Sequence, residues 1–133
     1  MAGETWFVYF KGRQIRAAFE EMLLCGAIEE ANAFSARITH ALSALREEIA
    51  RQGGTVLIYA GATVLFTGNG SCEELRACGW QAEQCARFQT LTGQAASFGA
   101  GATPYEAYCR CKAAQTQACE EQEEHLTHRG AMP

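Results

Sequence analysis

Three cationic side chains, Lys11, Arg13 and Arg16, follow directly on a short apolar run, TWFVYF at residues 5–10. Ammonium and guanidinium groups in such a cluster suit phosphate oxygens, which they meet through charge-assisted hydrogen bonds. The same three residues read equally as the solvated side chains of a turn. A second stretch, TVLIYAGATVLF at residues 55–66, reads as two β-strands joined by the turn Ala60-Gly61-Ala62-Thr63, which carries no charge. Hard divalent cations need carboxylate oxygens, and neither the turn nor the cationic cluster supplies one.

The remaining reactive side chains point to bland roles. The seven cysteines, at 25, 72, 78, 85, 109, 111 and 119, are odd in number and form no C-x-x-C. A secreted disulfide framework is therefore not expected, and free cysteines filling space as small hydrophobes is the simpler reading. Cys78 and Cys85 are spaced to share a helix face, but zinc sites use tighter ligand pairs. His40 lies at the edge of an apolar stripe, and His125 and His128 fall in a polar tail.

The elements that must position these residues follow from periodicity. TWFVYF is β-rich and fits a central strand covered on at least one face, ending in a turn at Lys11-Gly12-Arg13. From Gln14 the pattern is helical, with Ile15, Ala18, Phe19, Met22 and Leu23 on one side, up to Gly26. A longer helix carries Ile28, Ala31, Phe34, Ile38, Leu42, Leu45 and Ile49 as one stripe and stops at Gly53-Gly54. After the hairpin, with strands 55–59 and 63–67, Gly68-Asn69-Gly70 marks a loop. Ser71 with Glu74 makes a capping box that opens a helix to about Leu91. Ala95–Ala100 reads as a fourth strand. Thr103-Pro104-Tyr105-Glu106 starts a last helix, with Thr as N-cap and Pro at the first helical position, running at least to Cys119. The order β-α-α-β-β-α-β-α predicts an α+β, ferredoxin-like fold: a four-stranded antiparallel or mixed sheet with helices on one face.

Composition narrows the function classes. A chain of 133 residues with 48% hydrophobic content supports one compact domain, assigned to 1–119, followed by an acidic helix end or flexible tail at 120–133. A net charge of −4 argues against generic DNA or RNA backbone binding. No apolar run approaches a membrane span, and the N-terminus lacks the layout of a signal peptide, so a cytoplasmic protein without membrane contact is expected.

Three strings, FVYFKGRQI, VLIYAGATVLF and SFGAGATPYEAYCRCKAAQTQ, resemble the minimal CRISPR polymerase family, a palm domain related to the polymerase subunit palm and, more distantly, to GGDEF diguanylate cyclases. The third string is the most specific, because its Gly, Thr, Glu, Ala and Tyr positions coincide together. The resemblance implies a palm that joins nucleoside triphosphates into cyclic oligonucleotides for anti-phage signalling, using two Mg²⁺ or Mn²⁺ ions. It also implies function in pairs, with substrate between protomers.

The departures fall on the chemical residues. Where the family has an Asp-Gly-Asp turn, this chain has Lys11 and Arg13; where it has a Gly-Gly-Asp-Asp or Gly-Gly-Asp-Asn turn, this chain has Ala62 and Thr63. Gln115 replaces a phosphate-facing Lys, and Ala118-Cys119 replaces Gly-Lys. Two cations a few ångströms from a divalent ion would cost several kcal/mol even at an effective dielectric of about 20. The expectation is a palm pseudoenzyme with no metal and no catalytic residue. Lys11, Gly12, Arg13, Arg16, Gly61 and Lys112 are its candidate phosphate or nucleotide contacts. Its expected partners are a second copy or an active palm protein, and a nucleotide or cyclic nucleotide. Two alternatives stand beside it: an active nucleotidyltransferase with ligands relocated to Glu20, Glu21, Glu73 or Glu74, and a ferredoxin-like interaction module unrelated to nucleotides.

Overall fold

The computed structural model describes residues 5–69 and 79–115. Its elements are β1 (Thr5–Gly12), α1 (Ile15–Leu24), α2 (Ile28–Arg51), β2 (Thr55–Ala60), β3 (Thr63–Asn69), α3 (Trp80–Thr92), β4 (Ala96–Gly101) and α4 (residues 104–115). The strands form one sheet in the order β2-β3-β1-β4, and every pairing is antiparallel. The fold is therefore α+β with the ferredoxin-like strand order, and β1 is interior as its apolar content predicts. Among the described residues, no helix is long and apolar enough to cross a membrane.

Strand alternation sorts β1 cleanly. Val8 and Phe10 are buried on one face, with Val64 and Phe66 of β3 and Phe98 and Ala100 of β4 beside them. The α2 stripe closes this core through Phe34, Ile38, Leu42, Leu45 and Ile49. Phe10 lies 5.3 Å from Phe88 and 5.0 Å from Phe98, centroid to centroid, and Trp80 of α3 lies 5.7 Å from Phe98. These tilted and edge-on rings fill a core that no aliphatic pair of the same spacing would fill. Ile28 departs from its stripe: it is 57% exposed, because the first helical residue stands at the α1–α2 corner, beyond the sheet. The α1 helix lies over the core's margin, and none of its residues is buried.

The opposite face is covered differently. Expected helices on one face become helices on both, because α4 packs across β4 and β1 from the other side. Gly99 and Gly101 open the way: a Cβ on Gly99 would lie 2.1 Å from the Cys111 amide nitrogen and 2.2 Å from the Ala107 carbonyl oxygen. Helix backbone therefore rests directly on strand backbone, with Ala107 and Cys111 buried against it. Tyr108 meets Tyr9 edge-on at 5.4 Å. The α4 start is built as the sequence predicts. The Glu106 amide donates to Thr103 Oγ1 at 3.1 Å, and Glu106 Oε2 accepts from the Ala102 amide at 3.3 Å.

Strands β2 and β4 differ from expectation by one residue, ending at Ala60 and spanning Ala96–Gly101, and three boundaries move further. Lys11 and Gly12 continue β1, paired with Thr63, Ser97 and Ala96, so the turn begins at Arg13. Gly68 and Asn69 continue β3, opposite Trp6 and Thr5. Helix α3 starts at Trp80 and is not one run from Ser71, because Gly79 takes a left-handed φ of 69° that interrupts α-helical geometry. The Ser71–Glu74 capping box, Cys72, Cys78, Ala118, Cys119, His125, His128 and the domain boundary at 119 lie outside the described residues.

Candidate functional site

The sheet end where β1 leaves for α1 is built from three segments. Lys11 sits opposite Thr63 of β3 and Ser97 of β4. Just beyond it, the Gly12 amide donates to the Ala62 carbonyl at 2.9 Å and the Arg13 amide to the Ala95 carbonyl at 2.8 Å. These bonds tie the strand end to the β2–β3 turn on one side and to the β4 entry on the other. Gln14 then turns the chain into α1 at φ 56°, the one non-glycine residue at positive φ among those described. The β2–β3 turn itself has two central residues, with Gly61 at φ 58° and Ala62 at negative φ, as a type II′ hairpin requires.

Between this strand end, the turn and the helices α1 and α2 lies a cavity of about 370 Å³. It is lined by Lys11, Arg16, Ser35, Gly61, Ala62 and Thr63, with an apolar floor from Ile15, Phe19, Phe34 and Ile38; strand alternation puts the Lys11 side chain on the Tyr9 face, where its charge acts on Cys111. That size and apolar lining, with a few polar groups at the edge, suit a small organic ligand. Arg16 is exposed and lies 3.5 Å from Glu20, one turn along α1; an ion pair this open to solvent adds little to stability.

The sequence-predicted contacts divide into two groups. Lys11, Arg16 and Gly61 line the cavity together with the altered turn positions Ala62 and Thr63. Gly12 and Arg13 stand directly behind the rim, held by the amide bonds above, and do not line it. Lys112 is elsewhere: it belongs to α4 on the far face of the sheet, with its ammonium 5.8 Å from the Tyr108 ring. Its sequence neighbour Gln115 does reach the site's outer wall, donating from Nε2 to the Lys11 carbonyl at 3.4 Å. Among nearby aromatic residues, Phe19 lines the cavity, Phe98 belongs to the core and Tyr108 stacks on the far face. Sequence reading assigned Phe34 and Ile38 to the core stripe alone. They are core residues whose outer edges form the cavity floor, and periodicity reports burial without reporting against what.

The donor set does not fit a divalent metal pair. The lining residues are two cations, Lys11 and Arg16, two hydroxyl side chains, Ser35 and Thr63, and no carboxylate. Among the described residues no group of three or more His, Cys, Asp or Glu side chains could hold a metal ion. Glu20 faces Arg16, and neither Glu20 nor Glu21 lines the cavity; Glu73 and Glu74 lie outside the described residues. The described cysteines add no ligand here. Burial pushes the Cys85 thiol up to about 11 and the Cys111 thiol up to about 12, holding both protonated, and Cys111 Sγ lies 3.4 Å from the Ser97 carbonyl. Cys25 and Cys109 are exposed on α1's end and on α4.

A family model described as the minimal CRISPR polymerase domain matches residues 7–125. Among solved structures, the crystal structure of the guanylyl cyclase Cya2 is similar at a TM-score of 0.43 and 16% sequence identity. That similarity covers 75% of this chain and 55% of the cyclase chain, so the chain spans about half of the cyclase's length. No curated protein matches.

Proposed function

The chain belongs to the minimal CRISPR polymerase domain family, and from that premise we propose that it is a catalytically inactive palm that binds a nucleotide or cyclic oligonucleotide without metal. In this reading it serves anti-phage defence as a regulatory module, alone or paired with an active palm. One observation carries the proposal: the cavity at the end of β1 is lined by Lys11 and Arg16 and by no acid. Two-metal phosphoryl chemistry needs carboxylates at that place to hold the ions that bridge attacking and leaving oxygens. Ammonium and guanidinium groups do the reverse: they neutralise phosphate oxygens directly and need no ion between. The apolar floor of Ile15, Phe19, Phe34 and Ile38 then gives a base or ribose face a place to lie.

Two measurements test this together. Thermal unfolding with a panel of nucleotides and cyclic dinucleotides, in EDTA, is expected to show stabilisation by at least one of them. That shift is expected to vanish in Lys11→Ala/Arg16→Ala. Incubation with ATP or GTP and Mg²⁺ or Mn²⁺ is expected to leave the triphosphates unjoined. Formation of a cyclic or linear oligonucleotide, or a nucleotide shift that appears only with metal, overturns the proposal.

A further inference from the structure

Strand alternation gathers a set of polar side chains on the face of the sheet away from the cavity. Along β1, Val8 and Phe10 face the core, so Tyr9 and Lys11 face the other side. Lys11 pairs directly with Thr63 of β3 and with Ser97 of β4, and direct cross-strand partners share a face. An ammonium therefore stands between two hydroxyls in one row across three strands. None of these three side chains forms a hydrogen bond or an ion pair among the described residues.

Helix α4 brings a second cation to the same face. It runs along β1 in the same direction: Glu106 lies against Gly101, Cys111 lies against Gly99 and beside Ser97, and Gln115 reaches the Lys11 carbonyl. Tyr108 meets Tyr9, and Lys112, one turn farther on the same helix face, holds its ammonium 5.8 Å from the Tyr108 ring. Lys11 is likewise one same-face step beyond Tyr9. The helix step of roughly 6 Å and the strand step of roughly 7 Å carry Lys112 and Lys11 the same way, to neighbouring places above the row. Burial raises the Cys111 thiol and the Lys11 charge acts against that rise, as expected of an ammonium beside α4 at the residue before Lys112. Glu106 of α4 lies more than a turn back from Lys112 and is paired with Arg110.

We propose that Lys11, Lys112, Thr63 and Ser97 form a site on the Tyr9 face that takes a chain of two or more phosphoryl groups directly, with no metal between. Two ammonium groups close together, with hydroxyl donors beside them, suit an anion that carries several charges. Neighbouring strands are roughly 4.8 Å apart, so the row from Thr63 to Ser97 spans roughly 10 Å. A single phosphate reaches across one strand spacing, whereas linked phosphoryl groups reach across both. A cyclic oligonucleotide carries isolated phosphodiesters of one charge each and does not match the row. The chain can be inorganic or the tail of a nucleotide, since the four side chains meet only phosphoryl oxygens. The site lies on the opposite side of the strand end from the apolar floor and stands without it.

Isothermal titration calorimetry of the full chain in EDTA tests this, with inorganic tripolyphosphate, pyrophosphate and orthophosphate as probes at matched ionic strength. The two linked phosphates are expected to bind about tenfold or more tighter than orthophosphate. Lys112→Ala is expected to weaken tripolyphosphate by about tenfold or more, and Ser97→Ala and Thr63→Val by roughly threefold each. Arg37→Ala removes an exposed cation of α2 and is expected to change nothing. A nucleoside triphosphate that binds no tighter than tripolyphosphate identifies the inorganic chain as the ligand. Tighter binding that Phe19→Ser removes, with tripolyphosphate still bound, identifies a nucleotide tail. Equal affinity for the three anions, an equal loss in Arg37→Ala and Lys112→Ala, or no loss in either Lys112→Ala or Ser97→Ala overturns the proposal. Failure of every nucleotide with tripolyphosphate still bound overturns the cavity reading alone.

Discussion

Gly61 and Gly99 are the same residue type at two ends of one sheet, and they do opposite jobs. A Cβ on Gly61 would touch nothing within 4 Å, whereas one on Gly99 would overlap the backbone of α4 at 2.1 Å. Gly61 is required by conformation, since its φ of 58° turns the β2–β3 hairpin. Gly99 is required by space, since its missing side chain is where a helix sits. The contrast separates a position whose size the fold fixes from one whose side chain it leaves free. Around Gly99 every atom is in contact and a change of type moves a helix. Around Gly61 the neighbour is a cavity, and the fold does not depend on what the turn's side chains are.

The strongest way to break that comparison is to add atoms where space is said to be absent. Gly99→Val is expected to destabilise the domain by more than about 4 kcal/mol, because the clash is with main chain that cannot step aside. Urea unfolding checks this, and a wild-type midpoint would mean that α4 is not seated on β4. Next in size is removal from the aromatic face. Phe10 is 1% exposed and contacts Phe88 and Phe98, so Phe10→Ala is expected to lose about 3–5 kcal/mol through lost burial and the cavity left behind. The two variants separate the faces: one is intolerant of added volume, the other of lost volume.

Much of this was legible in the sequence, and the gaps have physical causes. The stripe from Ala31 to Ile49 announced a buried helix, and TWFVYF an interior strand, because their periods match the elements that bury them. Thr103, Pro104 and Glu106 announced the start of α4, because capping is a local affair. What α4 packs on is not local. Its seat is two glycines eight and six residues upstream of Ala107, which read as loop punctuation until the strand carrying them is paired. Lys11 and Gly12 read as a turn because lysine and glycine favour turns, yet β3 and β4 on both sides extend the strand through them. At the site, the rim was legible, since chemistry is written in residue type. The floor was not, since Phe34 and Ile38 look alike whether they face a core or its opening. Lys112 was grouped with the rim by type alone, and the helix that carries it lies on the other face.

A third change probes conformation with volume held nearly constant. Gly61→Ala meets no neighbour, so its whole cost is the positive φ it must hold, expected at about 1–2 kcal/mol. The measured loss by urea unfolding should fall well below that of Gly99→Val. Equal losses would mean that the turn is packed and that the cavity beside it is smaller than described.

The smallest expected effect on stability is the most informative about chemistry. Lys11 and Thr63 are direct cross-strand partners, both on the cavity rim. Lys11→Asp/Thr63→Asp therefore sets two carboxylates side by side, with Cβ atoms about 4.5–5.5 Å apart, a separation one divalent ion can bridge. Without metal the two acids repel, and the variant is expected to lose up to about 1 kcal/mol. With Mn²⁺ it is expected to recover that loss and more, since an ion that binds only the folded state stabilises it by mass action. The wild type, with a cation at position 11, is expected to show no Mn²⁺-dependent shift in the same thermal scan. If the wild type shifts as much as the variant, the rim holds metal by groups other than carboxylates at these positions, and the contrast between an open turn and a filled seam disappears. If the variant alone shifts, the scaffold still has the geometry for a metal and lacks only the oxygens. The difference between this chain and an active palm then comes down to side-chain charge at a strand end that the core neither requires nor prevents.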